Sequence, residues 1–181
     1  MQRSLFYMAG IVLLSSCVVK NVNSTDSIRA FDISGWIDST LQIQSVSSTL
    51  RFSKTVSLDD KTESTMITYS EFDSSLQIMK GMDLNNPMYE GRVLVDTTYQ
   101  SDSVYTVLYT TTSDKVPVRA CTIQFEKRDA TSIHIITEEN NLLYKIHKEY
   151  TYIPETLFTV AVTQRTIFYG EKKYQLQYSI E

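Results

Sequence analysis

Glycine is scarce in this chain, five in 181 residues, and histidine scarcer still at two. The glycines form neither a nucleophile elbow nor a phosphate-cradling loop, and the histidines are not paired at helical spacing as in zinc hydrolases. The adjacent basic pairs are Lys127-Arg128 and Lys172-Lys173, and both abut turn-forming residues. With no basic stripe or arginine cluster, nucleic acid is excluded as a partner. Asp59-Asp60 and Glu138-Glu139 point opposite ways in extended chain and lack the spacing of an EF-hand or zinc site, so neither metal nor cofactor is expected. Long apolar runs are missing after residue 14. The Phe158-to-Val162 cluster gives way to Thr163 and Gln164 at once, so no later segment is built to span a bilayer.

What is present begins at the amino terminus. Arg3 supplies a positive start and Leu5 to Leu14 a short apolar stretch, about half of the ~20 residues a spanning helix needs. Small residues, Ser15 and Ser16, then precede Cys17. A basic start, a short apolar run and small residues before a cut describe a secretory leader. The Leu14-Ser15-Ser16-Cys17 run resembles the lipobox of bacterial lipoproteins. That resemblance implies cleavage before Cys17, diacylglycerol on its thiol and a further acyl chain, such as palmitate, on its amine. Two or more acyl chains anchor stably where one binds reversibly, at about 0.8 kcal/mol per buried CH₂. Val18 stands where some bacterial lipoproteins carry an inner-membrane-retaining aspartate, which favours the outer membrane. Residues 1–16 are thus expected to be the leader and 17–27 a lipidated cysteine with a flexible tether. Asn23-Ser24-Thr25 matches a glycosylation acceptor, a chance match in a bacterial envelope.

Residues 28–181 suit a single β-domain. The formal charge of −4 becomes −5 once Arg3 leaves with the leader, a mild acidity. Thr, Ser, Val, Ile and Tyr dominate, and these are strand preferences. Tyr174, Leu176, Tyr178 and Ile180 alternate with Lys173, Gln175, Gln177 and Ser179, which predicts an antiparallel strand with one wet face. Leu50, Phe52, Val56 and Leu58 alternate likewise, with Lys54 breaking the apolar face. Met66 to Phe72 and Leu76 to Met79 read as further strands around a turn at Asp73-Ser74-Ser75. More follow from Val93, Tyr105, Val116, Ile133, Tyr144 and Phe158, with Pro154 ending the run from Tyr144. Turns every 8 to 12 residues or so predict an all-β, single antiparallel meander of about nine or ten strands, a barrel or half-barrel in preference to a two-sheet sandwich. The break from Gly81 to Gly91 is the expected functional loop.

Twelve tyrosines stand out. Tyr105 shares a face with Tyr109, Tyr150 with Tyr152, and Tyr174 with Tyr178. These six are the candidate ligand-facing residues, since tyrosine joins an apolar body to a polar tip. They serve equally well as cross-strand pairs. Trp36 is expected to plug one end of the core. Cys121 shares a face with Ile123 and Phe125 and has no disulfide partner once Cys17 is lipidated, so it is expected to be a buried, inert thiol. The composition favours a non-enzymatic, lipid-anchored envelope protein that binds an apolar or amphipathic ligand. An interaction lipoprotein docking an envelope complex is the alternative, and a hydrolase using His134 or His147 a distant one. A Cys17→Ala variant is expected to fold normally and wash free of the membrane on fractionation; firm retention would overturn the lipoprotein assignment.

Overall fold

Period-two alternation becomes a ladder when successive strands find each other across short turns. The computed structural model describes residues 29–46, 50–59 and 61–180; the leader, Cys17 and the tether lie outside them. It contains β1 (Phe52–Leu58), β2 (Lys61–Ile67), β3 (Val93–Tyr99), β4 (Val104–Thr111), β5 (Val118–Glu126), β6 (Asp129–Asn140), β7 (Tyr144–Ile153), β8 (Leu157–Thr166) and β9 (Gly170–Ile180). The nine strands form one antiparallel sheet in the order β2-β1-β9-β8-β7-β6-β5-β4-β3. The strands from β3 to β9 follow one another as a meander, and β9 then takes the β1–β2 hairpin on its other side. The edges β2 and β3 are not joined, so the sheet is open and not a closed barrel, an arrangement that a half-barrel fits.

Two helices correct the expected element order. Helix α1 (Ile33–Val46) occupies the stretch around Trp36, and α2 (Tyr69–Lys80) replaces the strands and turn expected from Met66 to Met79. β2 therefore ends at Ile67, and Asp73-Ser74-Ser75 lies inside a helix. Thr68 explains the switch. Its side chain accepts from the Glu71 N–H, while Glu71 accepts from the Thr68 N–H at 2.8 Å, a reciprocal cap that starts a helix. Phe72, Leu76 and Met79 then fall on one buried face at helical spacing. In α1, Ile33, Ile37 and Leu41 are buried at the same period, and Asp32 accepts from the Gly35 N–H at 2.8 Å at its start. None of the described helices is long and apolar enough to cross a membrane.

Both helices pack on one face of the sheet, hereafter the inner face. Trp36 meets Tyr152 edge-on at 5.5 Å, so the expected plug is half-buried at this packing seam. Phe72 meets Phe52 at 5.0 Å and Tyr178 at 6.2 Å. Lys80 of α2 ion-pairs with Asp38 of α1. The Gly81-to-Gly91 segment carries a 3₁₀ turn (Pro87–Tyr89) whose Tyr89 is buried, and its Asn85 amide donates to the Ala30 carbonyl at 3.1 Å. That segment straps the lead-in to α1 onto the core.

Phe72 is fully buried between helix and sheet, whereas Ile78 on the same helix is half-exposed. Phe72→Ala is expected to cost about 3–5 kcal/mol in urea unfolding, and Ile78→Ala about 0.5 kcal/mol or less. Equal losses would refute the assigned packing face.

Candidate functional site

Cross-strand register places all six candidate tyrosines on the inner face. Tyr105 opposes Phe125 and Tyr109 opposes Cys121; Tyr150 opposes Ile135 and Val160; Tyr152 and Tyr178 flank Phe158; Tyr174 opposes Val162. The helices divide them. Tyr109, Tyr150, Tyr152 and Tyr178 are buried in the core. The Tyr152 hydroxyl is within 3.1 Å of Thr40 Oγ1 and accepts from the Gln44 amide at 3.3 Å, which ties it to α1. Tyr105, half-buried, stacks on Phe125 at 4.8 Å. Tyr174, also half-buried, stands past the region the helices cover.

That region is the informative one. Lys54, Val56 and Leu58 share the inner face with Phe52, and the register carries them across the sheet. Val56 lies beside Leu176, which lies beside Val160; Leu58 lies beside Tyr174, which lies beside Val162. Val56 and Leu58 are 38% and 41% exposed although they face inward. Where this apolar stripe meets α2, a cleft of about 370 Å³ opens, lined by Lys54, Thr65, Ile67, Ser70, Glu71, Ser74, Ser75 and Tyr178. The Lys54 ammonium lies 5.9 Å from the centre of the Tyr178 ring, within cation–π range. The Glu71 carboxyl is held below the usual carboxylate range by the Thr68 N–H and hydroxyl, so it is committed to the helix cap. The cleft thus offers one cation and several hydroxyls at the head of an apolar stripe.

Comparison with protein-family models, curated proteins and solved structures finds no match.

Lys54, Val56, Leu58 and Leu176 stand in the sequence as strand-face residues and not as ligand-facing candidates. Their signal was there, in a cation interrupting an otherwise apolar strand face. The two histidines lie on the opposite, outer face. His134 Nδ1 is 2.9 Å from Thr151 Oγ1, and His147 bridges Glu138 at 3.4 Å and Glu149 at 3.0 Å. Burial tends to raise the Glu138 carboxyl, but its hydrogen bond from His147 and the nearby Lys145 together hold it below the usual range. The backbone around both histidines is engaged in the β5–β6, β6–β7 and β7–β8 ladders, which leaves no free pair of N–H donors there for an oxyanion. Among the described residues no group of three His, Cys, Asp or Glu is placed to hold a metal ion.

Burial pushes the Cys121 thiol up to about 12 and raises Tyr89, Tyr109, Tyr150 and Tyr152 above the ordinary tyrosine value. In the unfolded chain these groups ionise near their ordinary values of 9.0 for the thiol and 10.0 for tyrosine. Their contribution to stability is therefore complete below pH 9 and lost progressively toward pH 12. The urea midpoint is expected to fall between about pH 8 and 11, while the thiol stays unreactive to disulfide reagents in the folded protein. A flat midpoint with a readily modified Cys121 would show that the core is open.

Proposed function

We propose that this chain is a lipid-anchored, non-enzymatic cell-envelope protein whose half-barrel holds an apolar or amphipathic ligand on the uncovered part of its inner face. One observation carries the proposal: α1 and α2 cover only part of that face, and the rest holds an apolar stripe of Val56, Leu58, Leu176 and Val162, bordered by Lys61, Glu63 and Lys148, that runs into a cleft with Lys54 at its head. Exposed apolar surface that is concave and rimmed by polar groups is what ligand sites present. An acyl-like chain lies along Val56, Leu58, Leu176 and Tyr174, and a polar or anionic head meets Lys54, Thr65 and Ser74. Cys17 supplies the anchor, and Val18 after it favours the outer membrane.

The alternative, docking of an envelope protein, is supported by the open β3 edge, where Leu94 and Tyr99 are 61% and 72% exposed. A fluorescent fatty acid separates the two. Val56→Asp, at a position 38% exposed, is expected to weaken its binding at least about tenfold, with little change in thermal midpoint. Thr163→Asp on the outer face is expected to leave binding intact. A parent protein that neither binds the probe nor carries an adduct in native mass spectrometry sinks the ligand proposal.

A further inference from the structure

Five of the exposed large apolar side chains among the described residues gather at one place. The β6–β7 turn presents Leu142 and Leu143, the β8–β9 turn presents Ile167, Phe168 and Tyr169, and all five are between 62% and 91% exposed. The two turns are fastened together, the Ile167 N–H donating to the Leu143 carbonyl at 3.2 Å. Their backbones are also satisfied locally. Asn141 accepts from the Leu143 and Tyr144 N–H groups at 2.8 and 2.9 Å, Asn141 N–H donates to the Tyr144 carbonyl at 3.0 Å, and Tyr169 N–H donates to Thr166 Oγ1 at 3.1 Å. Gly170, at φ +73°, gives the second turn the left-handed residue it needs. The result is a double tip with apolar side chains outward and most of its backbone donors bonded locally, as insertion into a dry medium favours.

Charge identifies the medium. The strand ends behind the tip carry Lys145, Lys148, Arg165, Lys172 and Lys173 against Glu138, Glu139 and Glu171. Glu138 pairs with Lys145, Glu139 with Lys148 and Glu171 with Lys173, and Asp59 at the end of β1 stands beside Lys173, its N–H donating to the Lys173 carbonyl. Arg165 and Lys172 are exposed and have no acidic partner among the described residues. A cationic collar behind an aliphatic and aromatic tip, on a chain of formal charge −4, complements an anionic bilayer: rings and aliphatic groups enter the interface while ammonium and guanidinium groups meet phosphates. From Cys17 to Arg29 the chain can extend at most about 40 Å, and a ten-residue strand such as β7 is about 33 Å long. A lipidated Cys17 and the tip can therefore reach one membrane face together.

We propose that the paired β6–β7 and β8–β9 tips form a second, reversible membrane contact that inserts into the interface of an anionic bilayer. Salt weakens this contact, since its basic collar is exposed. The proposal stands apart from the ligand stripe, because the tip docks whether or not the stripe is occupied. The test uses the full chain carrying Cys17→Ala, with vesicles of phosphatidylcholine alone and with one-third phosphatidylglycerol. Sedimentation is expected to show binding to the anionic vesicles, weakened at high salt. Leu142→Ser with Phe168→Ser is expected to reduce that binding at least about tenfold, and Arg165→Gln with Lys172→Gln to remove its preference for anionic lipid. A Phe168→Trp variant is expected to shift its emission to the blue on the same vesicles. Vesicle binding unchanged by the tip substitutions, or a dimer in solution that they dissociate, would overturn the proposal, the second result assigning the tip to a copy of the same chain. Fatty-acid binding is expected to be unaffected by either tip variant, which keeps the two proposals separable.

Discussion

An unbroken file of aromatic rings holds the helices to the sheet. It runs from Tyr99 and Tyr105 through Phe125 to Phe31 and Trp36, then through Tyr152, Phe158 and Tyr178 to Phe72, Phe52 and Tyr69, with neighbouring centroids 4.8 to 6.4 Å apart. Such pairs each add about 0.5–1.5 kcal/mol beyond simple burial. The file crosses the sheet from the β3 edge to β1 and passes through α1 at Trp36 and α2 at Phe72. Both helices are therefore confined to one end of the inner face. The uncovered stripe lies only where β1, β9 and β8 pass beyond the helices; at the β4–β6 side of the same end Tyr109, Cys121, Val118 and Thr137 are buried, and Tyr89 bonds the Val118 backbone.

The two ends of the sheet consequently differ in chemistry. At the helix-bearing end, the buried Tyr152 hydroxyl is partnered by Thr40 and Gln44, while Gln44 Oε1 is itself buried without a partner. At the far end, Leu58, Tyr174 and Val162 face inward with part of their surface open, and the strands beyond them lead to the tips at Leu142 and Phe168. The proposed ligand stripe and the proposed membrane contact thus share one end of the molecule.

Strands were legible because alternation is a local code. The set Tyr174, Leu176, Tyr178 and Ile180 needs no knowledge of its neighbours to declare a face, and the register confirms that all six candidate tyrosines share one. The helices were harder. Ser70 to Ser75 is rich in residues that favour turns, and α1 draws on Ile, Thr, Ser and Val, which read as strand or tether. Both starts still left marks: Thr68 with Glu71 is a capping pair, and Asp32 stands directly before Ile33. The division of the tyrosines into core and border could not be read in advance. Which rows a helix covers is a long-range fact, and no local pattern of Tyr105 or Tyr152 encodes it.

The position of β9 has a further consequence, for the order of assembly. β1 and β2 are synthesised early, yet Phe52 of β1 pairs with Ile180, nearly the last residue of the chain. A lone two-stranded hairpin is marginal in water, so β1 and β2 wait for the carboxyl terminus to supply their third strand. Strands β3 to β8 each meet a sequence neighbour at once, while the closure between β1 and β9 must meet the entropy of a loop spanning almost the whole domain. Completion of the domain is therefore gated by its final eleven-residue strand. Without β9, the β1–β2 hairpin has no partner in the sheet, and the stretch of inner face on which α2 rests loses its support.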